Sequence, residues 1–448
     1  MGLTIKTGWL RRITSERFQR LGREFFWISL GQAAAVLGGL VGVRILTELL
    51  EPAAFGQLAL GMTVATLVHQ VVLGPLGNGA TRFYAPAREA GALHAYLAAV
   101  CDMVLTSTGG IILVALLSGV GLILAGLSRW MGLGVADLCF ALLSGYNSIL
   151  SGTQNAARQR IIVAFHQGLA SWGRFLVAAG LILWLGATST VAMMGYNLAM
   201  IFVLASQYFF FRRIINSAGG ADTAEMIVNN QWRTQMFTYS WPFATWGIFT
   251  WAQIASDRWA LQMFATTQDV GLYAVLYQLG YYPITILTGL MVQLVSPVFF
   301  QRAGDASDSS RMQQVHTLNW RLTIGALILT GAATLVAFGL HGLVFRWLVA
   351  PDYRAVSWML PGMVLAGGFF ATGQFAVISL LSGTETRSLI APKIATALIG
   401  VLLNMLGAAW WGIIGVVSAS AVTAAVYLLW TLYLVRTRHN QNSTEGVR

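Results

Sequence analysis

The chain has 448 residues, of which 56% are hydrophobic and only 10% charged, with a formal net charge of +11. Soluble domains carry about 25% charged residues, and here the shortage runs the whole length, which excludes a soluble fold or a soluble domain on one anchor. The basic excess is dealt out among short loops, so a nucleic-acid-binding protein is excluded too.

Residues 1–24 form a basic start with six Lys or Arg. The apolar run that follows is long enough to span and lacks a small-residue cleavage site, so it reads as a first transmembrane helix, not a cleavable signal. A span needs about 20 apolar residues. Twelve segments qualify, at 25–46, 55–76, 96–126, 133–154, 161–185, 189–211, 238–264, 270–299, 320–348, 355–381, 391–409 and 412–435. With a cytoplasmic N-terminus, 21 of the 27 Lys and Arg fall in inner segments, 3 in outer ones and 3 within helices. That bias supports twelve spans with both ends in the cytoplasm. Trp130, Trp184, Trp347, Trp358, Trp410 and Trp411 fall at the outer ends, where amphipathic rings prefer the headgroup level.

Helix one carries small residues at Gly31, Ala35, Gly38 and Gly42, which suits close helix packing. It ends at Arg44. An acidic turn with Glu48, Glu51 and Pro52 follows, and Phe55-Gly56 opens helix two. The pattern returns about 214 residues later, where Arg258 closes an apolar helix and Val270-Gly271 opens the next. A second echo, Leu150-Ser-Gly-Thr153 and Leu381-Ser-Gly-Thr384, follows helices four and ten. Two ordered echoes indicate a chain of two similar halves. The division expected is an N-lobe at 25–211, a cytoplasmic linker at 212–237, a C-lobe at 238–435 and a tail at 436–448. The next longest loop, 300–319, is also cytoplasmic.

Charge within the spans is scarce and therefore informative. His69 in helix two and Asp102 in helix three are candidate protonatable groups. Helix four turns polar toward the cytoplasm, with Asn147 and Gln154 in the run, and is expected to line a water-filled cleft. Arg174 lies mid-span in helix five, too deep to snorkel, so it needs a watery interior or an acid partner. A structural salt bridge is the competing reading. Arg44 and Arg258 lie nearer the outer ends, where snorkelling competes with function; their repeat relationship favours a shared axis. Thr250, Gln253 and Asp257 make a polar stripe on helix seven. Asp257 is expected to point away from adjacent Arg258 and to serve as counter-charge to Arg44 or as a coupling site. Pro242 and Pro283 mark bends in helices seven and eight.

Cys101 and Cys139 sit in apolar runs and read as small core residues, without disulfide or zinc spacing. No P-loop, GxSxG, HExxH or exposed carboxylate pair occurs, and no outer loop is long. An enzyme, a metal site and a bound cofactor are therefore not expected.

The stretch Arg44–Leu60 with Gly74–Glu89, the block Tyr239–Leu261, and Leu402–Leu429 resemble the polysaccharide-transporter branch of the multidrug/oligosaccharidyl-lipid/polysaccharide flippase superfamily. The resemblance implies an all-α integral membrane protein with two six-helix lobes in a V, working by alternating access. It implies a cationic cavity for the diphosphate of a polyprenyl-linked oligosaccharide, to which Arg174, Arg258 and Arg44 would be carried over. Partners implied are that lipid-linked glycan, membrane lipids and polysaccharide polymerase or export proteins, in a bacterial inner membrane. A cation-coupled drug exporter of the same superfamily is the alternative, with a membrane polymerase or ligase of lipid-linked sugars behind it. Many relatives have fourteen helices, and this chain shows twelve.

Overall fold

The computed structural model describes residues 31–216, 225–303, 309–382 and 390–445. The basic start at 1–24, residues 217–224 of the linker, 304–308 of the next loop, Gly383-Thr384 of the second LSGT echo and the last three residues lie outside the described residues. Among the described residues every regular element is helical and none is a strand.

Helix α1 is Gly31–Leu49. Helix α2 (Pro52–Val68) runs into a five-residue π turn, His69–Leu73, and continues as α3 (Gly74–Glu89). Then come α4 (Leu93–Leu124), α5 (Met131–Ala156), α6 (Arg160–Leu185) and α7 (Ser189–Asn216). Helix α8 (Glu225–Phe264) begins the second half. Helix α9 (Thr267–Leu276) starts on a Thr266–Asp269 capping box and passes through a second π turn, Tyr277–Tyr281, into α10 (Tyr282–Ala303). Helices α11 (Ser309–Leu348), α12 (Leu360–Ser382) and α13 (Ile390–Glu445) complete the chain.

Ten described stretches are long and apolar enough to cross a membrane. Helix α8 adds 40 residues, its hydropathy diluted by Gln231, Arg233, Gln235, Asp257 and Arg258. Helix α13 holds two passages, because Gly412 leaves helical geometry at φ 57° and ψ −133°. Gly407 and Gly415 then meet backbone to backbone, and a Cβ at Gly400 would stand 3.1 Å from Thr423, so the passages run antiparallel. The described helices thus form twelve passages. The loops are shorter than expected: α7 and α8 take up most of 212–237, and α10 and α11 most of 300–319.

The chain packs as two compact units. The first comprises the described part of 1–39 with 71–178 and 194–244; the second comprises 40–70, 179–193 and 245–448. The cuts fall inside helices, so these units differ from the sequence halves: the end of α1, the whole of α2, the end of α6 and the start of α7 belong to the second unit.

Within the second unit the reason is visible. A Cβ on Gly56 would strike the Thr267 carbonyl, and a Cβ on Gly271 would strike the Pro52 carbonyl. Pro52 and Thr267 share the offset of Gly56 and Gly271, so the contact is reciprocal between repeat-related positions. Such self-matching contacts arise at a two-fold axis, and only glycine lets two helix backbones approach this closely. Around that seam Tyr353 donates to the Leu50 carbonyl at 2.7 Å. The indole N–H groups of Trp251 and Trp259 reach the carbonyl and hydroxyl oxygens of Thr63 at 2.7 and 2.9 Å.

In the first unit the small face of α1 receives an aromatic ring. A Cβ on Gly38 would sit 3.0 Å from Trp172, whose indole N–H donates to the Ala34 carbonyl at 2.9 Å. Cys101 and Cys139 correct an expectation: both are exposed, on outward faces of α4 and α5, not in the core. In a membrane protein an apolar position can face lipid as readily as protein, which apolar context alone does not distinguish.

Candidate functional site

Six basic side chains among the described residues are less than fully exposed: Arg44, Arg160, Arg174, Arg258, Arg354 and Lys393. What each does with its N–H donors separates them.

Arg44 is spent at the end of α1. It pairs with Glu48 one turn on at 2.5 Å and donates to the Val349 carbonyl at 2.7 Å. Arg354 donates to the carbonyls of Arg346 and Val349 at 3.3 Å each, though its buried Nε has no partner, and Arg160 has a partner as well.

Arg258 is 9% exposed and Asp257 5%. Contrary to expectation the adjacent residues do pair: the Arg258 Nη1 lies 3.2 Å from the Asp257 Oδ1. Adjacent helical side chains diverge at Cβ, but a long arginine stem can fold back. Asp257 also accepts from the Arg258 backbone N–H at 2.7 Å and from the Tyr273 hydroxyl at 2.7 Å. The guanidinium lies 4.5 Å from the Tyr277 ring centre and donates to the Ile254 carbonyl at 3.1 Å. Asp257 is thus the counter-charge of Arg258 and not of Arg44. Above it on the stripe, Thr250 and Gln253 are half-buried, and Thr250 donates to the Trp246 carbonyl at 3.2 Å.

Arg174 is different. It stands 14 residues from the start of α6 and 11 from its end, about 21 and 17 Å at ~1.5 Å per residue. Its guanidinium carbon lies 4.6 Å from the Phe175 ring centre and 5.9 Å from that of Tyr196. No described carboxylate pairs with it, and its buried Nε has no hydrogen-bond partner. Aromatic faces stabilise a cation without consuming its N–H donors.

The remaining candidates divide in the same way. Asp102 is half-buried and paired with Arg233 at 2.7 Å, so it is a counter-charge and not a free acid. His69 is half-buried and opens the π turn after α2. The polar run of α5 does not line a cleft at Gln154, which is fully buried. The Gln207 amide donates to Gln154 at 3.0 Å and Ser151 at 2.8 Å, and its carbonyl oxygen accepts from Asn147 at 2.6 Å. Polar residues on a membrane helix can join helices as well as line water, and here they join α5 to α7.

Sequence reasoning passed over Asp137. It is 3% exposed on α5, with one carboxylate oxygen unpartnered. Next to it Asn197 donates to the Ala136 carbonyl at 2.9 Å, leaving its own Oδ1 unpartnered. The signal was present in the sequence, since a lone acid in the apolar run of the fourth span is itself conspicuous. Among the described residues no group of three His, Cys, Asp or Glu could hold a metal ion.

A family model described as "Polysaccharide biosynthesis protein" matches residues 21–303, well over half the chain. The chain belongs to that family. Beyond the family model, no protein of curated function matches it in sequence. In structure it is similar to an inward-facing multidrug resistance MATE family transporter of the MOP superfamily, 13% identical over 94% of this chain and 99% of that one, with a TM-score of 0.64. It is also similar to the lipid II flippase MurJ in an inward closed conformation, 12% identical over 92% and 87%, TM-score 0.64. The MATE transporter VcmN of Vibrio cholerae matches at 13% identity over 96% and 98%, TM-score 0.58. At such identities the likeness concerns the fold, which is that of MOP-superfamily transporters. This polysaccharide biosynthesis protein is therefore an all-α, multi-pass integral membrane protein.

Proposed function

We propose that the protein is a flippase that moves a polyprenyl-diphosphate-linked oligosaccharide, an O-antigen or exopolysaccharide repeat unit, across the bacterial inner membrane by alternating access between two six-helix halves. The observation that carries this reading is Arg174. A guanidinium mid-span, held on aromatic rings with no carboxylate partner among the described residues, is costly for the empty protein and matched to a dianionic phosphate group that its planar fork can grip by two hydrogen bonds. The family match supports a role in polysaccharide assembly. Both termini are cytoplasmic in this reading, and the glycan undergoes no chemistry. Arg44 and Arg258 can meet a diphosphate only by exchanging Glu48 and Asp257 for it, so they are assigned a smaller share of its binding.

The test is export in cells lacking the chromosomal copy. Arg174→Ala is expected to abolish surface polysaccharide while protein level in the membrane is retained; unchanged export would remove Arg174 and the reading built on it.

Asp137 favours one second reading, a cation-coupled multidrug exporter. A buried acid with an unpartnered oxygen in the first half suits a bound proton or cation, as a phosphate-binding cavity does not require. Dye efflux that depends on Asp137, with surface polysaccharide unaffected by deletion of the protein, would decide for the exporter.

A further inference from the structure

Arg174 has one counterpart among the half-buried cations. Lys393 stands near the start of α13, in the second unit, and its ammonium nitrogen lies 5.5 Å from the ring centre of Trp246 on α8. Among the described residues no carboxylate pairs with it and no hydrogen bond uses its three N–H donors. A lysine near a helix end ordinarily extends its stem toward water. This one is half-buried and lies across a neighbouring helix instead. Arg44 and Arg258 pair with carboxylates and Arg354 donates to two carbonyls, whereas Arg174 in the first unit and Lys393 in the second rest on aromatic rings with no described carboxylate beside them.

Trp246 also places Lys393 on the polar stripe. Trp246, Thr250, Gln253 and Asp257 follow at spacings of four, three and four, which align on one helix face. The first three are half-buried, and the stripe closes at the buried Asp257–Arg258 pair. Lys393 therefore sits at the opposite end of the stripe from a cation that is already neutralised.

We infer that Lys393, seated on Trp246, is the phosphate-binding position of the second unit and takes an oxygen of the cargo's diphosphate. The inference rests on the flippase reading. An ammonium is a compact point charge with three rotatable donors, suited to a phosphate oxygen arriving from several directions. The indole fixes where that charge waits, because the cation–π contact holds the nitrogen without occupying its N–H groups. An anionic phospholipid headgroup presents the same phosphate chemistry, and the experiment separates the two sources.

The chain contains two lysines, Lys6 and Lys393. In Lys6→Arg protein, reductive ¹³C-methylation leaves Lys393 as the sole labelled side-chain amine with its charge retained. Full-length protein in phosphatidylcholine nanodiscs is titrated with geranylgeranyl diphosphate, with neutral geranylgeraniol as control, and separately placed in discs containing phosphatidylglycerol. The Lys393 signal, displaced by the Trp246 ring current and returned toward the free-amine position by Trp246→Leu, is expected to move with the diphosphate alone. In binding measurements Lys393→Gln is expected to weaken geranylgeranyl diphosphate about tenfold, the effect of one lost charge-assisted contact, and Lys393→Arg to restore most of it. A signal that moves equally with phosphatidylglycerol overturns the assignment to cargo. If diphosphate binds and Arg174→Gln weakens it, but Lys393→Gln binds as wild type with an unmoved signal, the Lys393 inference alone falls. If wild-type protein does not bind diphosphate, the flippase reading falls and this inference with it.

Discussion

At the scale of single residues, the partners of a charge decide its role more than its depth does. Arg258 and Arg174 are both inside helices, yet one is neutralised and the other is not. Breaking a buried ion pair strands a charge and costs about 3–5 kcal/mol, whereas removing both charges together costs far less. Arg258→Gln is therefore expected to lower the melting temperature in detergent sharply, and Asp257→Asn combined with it to recover much of the loss. A double substitution as damaging as the sum of the singles would show that the pair is not coupled. Gln207 poses the neutral version of the same problem. Its amide serves Asn147, Ser151 and Gln154 at once, and each buried group left unsatisfied costs about 1–3 kcal/mol. Gln207→Leu is expected to destabilise the first unit by several kcal/mol, read as loss of membrane-inserted protein and a lower unfolding midpoint.

At the scale of elements, the seam of α2 and α9 explains why the repeated motif carries glycine. Gly56 and Gly271 each receive the other helix's backbone carbonyl. A methyl group on either must push two helices apart, and overpacking of this kind costs about 1–3 kcal/mol or more. Gly56→Ala and Gly271→Ala are each expected to lower stability, and because the contact is reciprocal the double variant should cost less than the two single losses added. Strictly additive losses in thermal unfolding would argue against a shared contact. The π turns at His69–Leu73 and Tyr277–Tyr281 interrupt the second passage of each half. They were not legible in advance, because an extra residue in a helical turn leaves hydropathy unchanged.

At the scale of the whole molecule, the distribution of basic residues predicts an orientation that can be checked directly. In intact cells a membrane-impermeant maleimide is expected to label Arg129→Cys in a background lacking Cys101 and Cys139, and to label Arg158→Cys only after permeabilisation. The opposite pattern would invert the topology and, with it, the direction of transport. The number of passages was readable from composition, since the bilayer demands a fixed length of apolar helix wherever the chain crosses it. The lengths of the linkers were less so: polar helix ends at 225–237 and 309–319 continue past the apolar core, and a hydropathy window stops where the lipid does.

The sequence alone determined the membrane class, a count of about twelve passages, the repeat at 214–215 residues and the short list of charges worth following, because each depends on spacing along the chain and on the cost of polar groups in hydrocarbon. The tertiary structure alone decided which charges are free. Asp257 answers Arg258, Glu48 answers Arg44, Arg233 answers Asp102, and Gln154 is locked into a helix joint. Arg174 and Lys393 rest on rings with no described carboxylate beside them. Pairing is a matter of a few ångströms between side chains from separate turns or separate helices, and no one-dimensional pattern carries that distance.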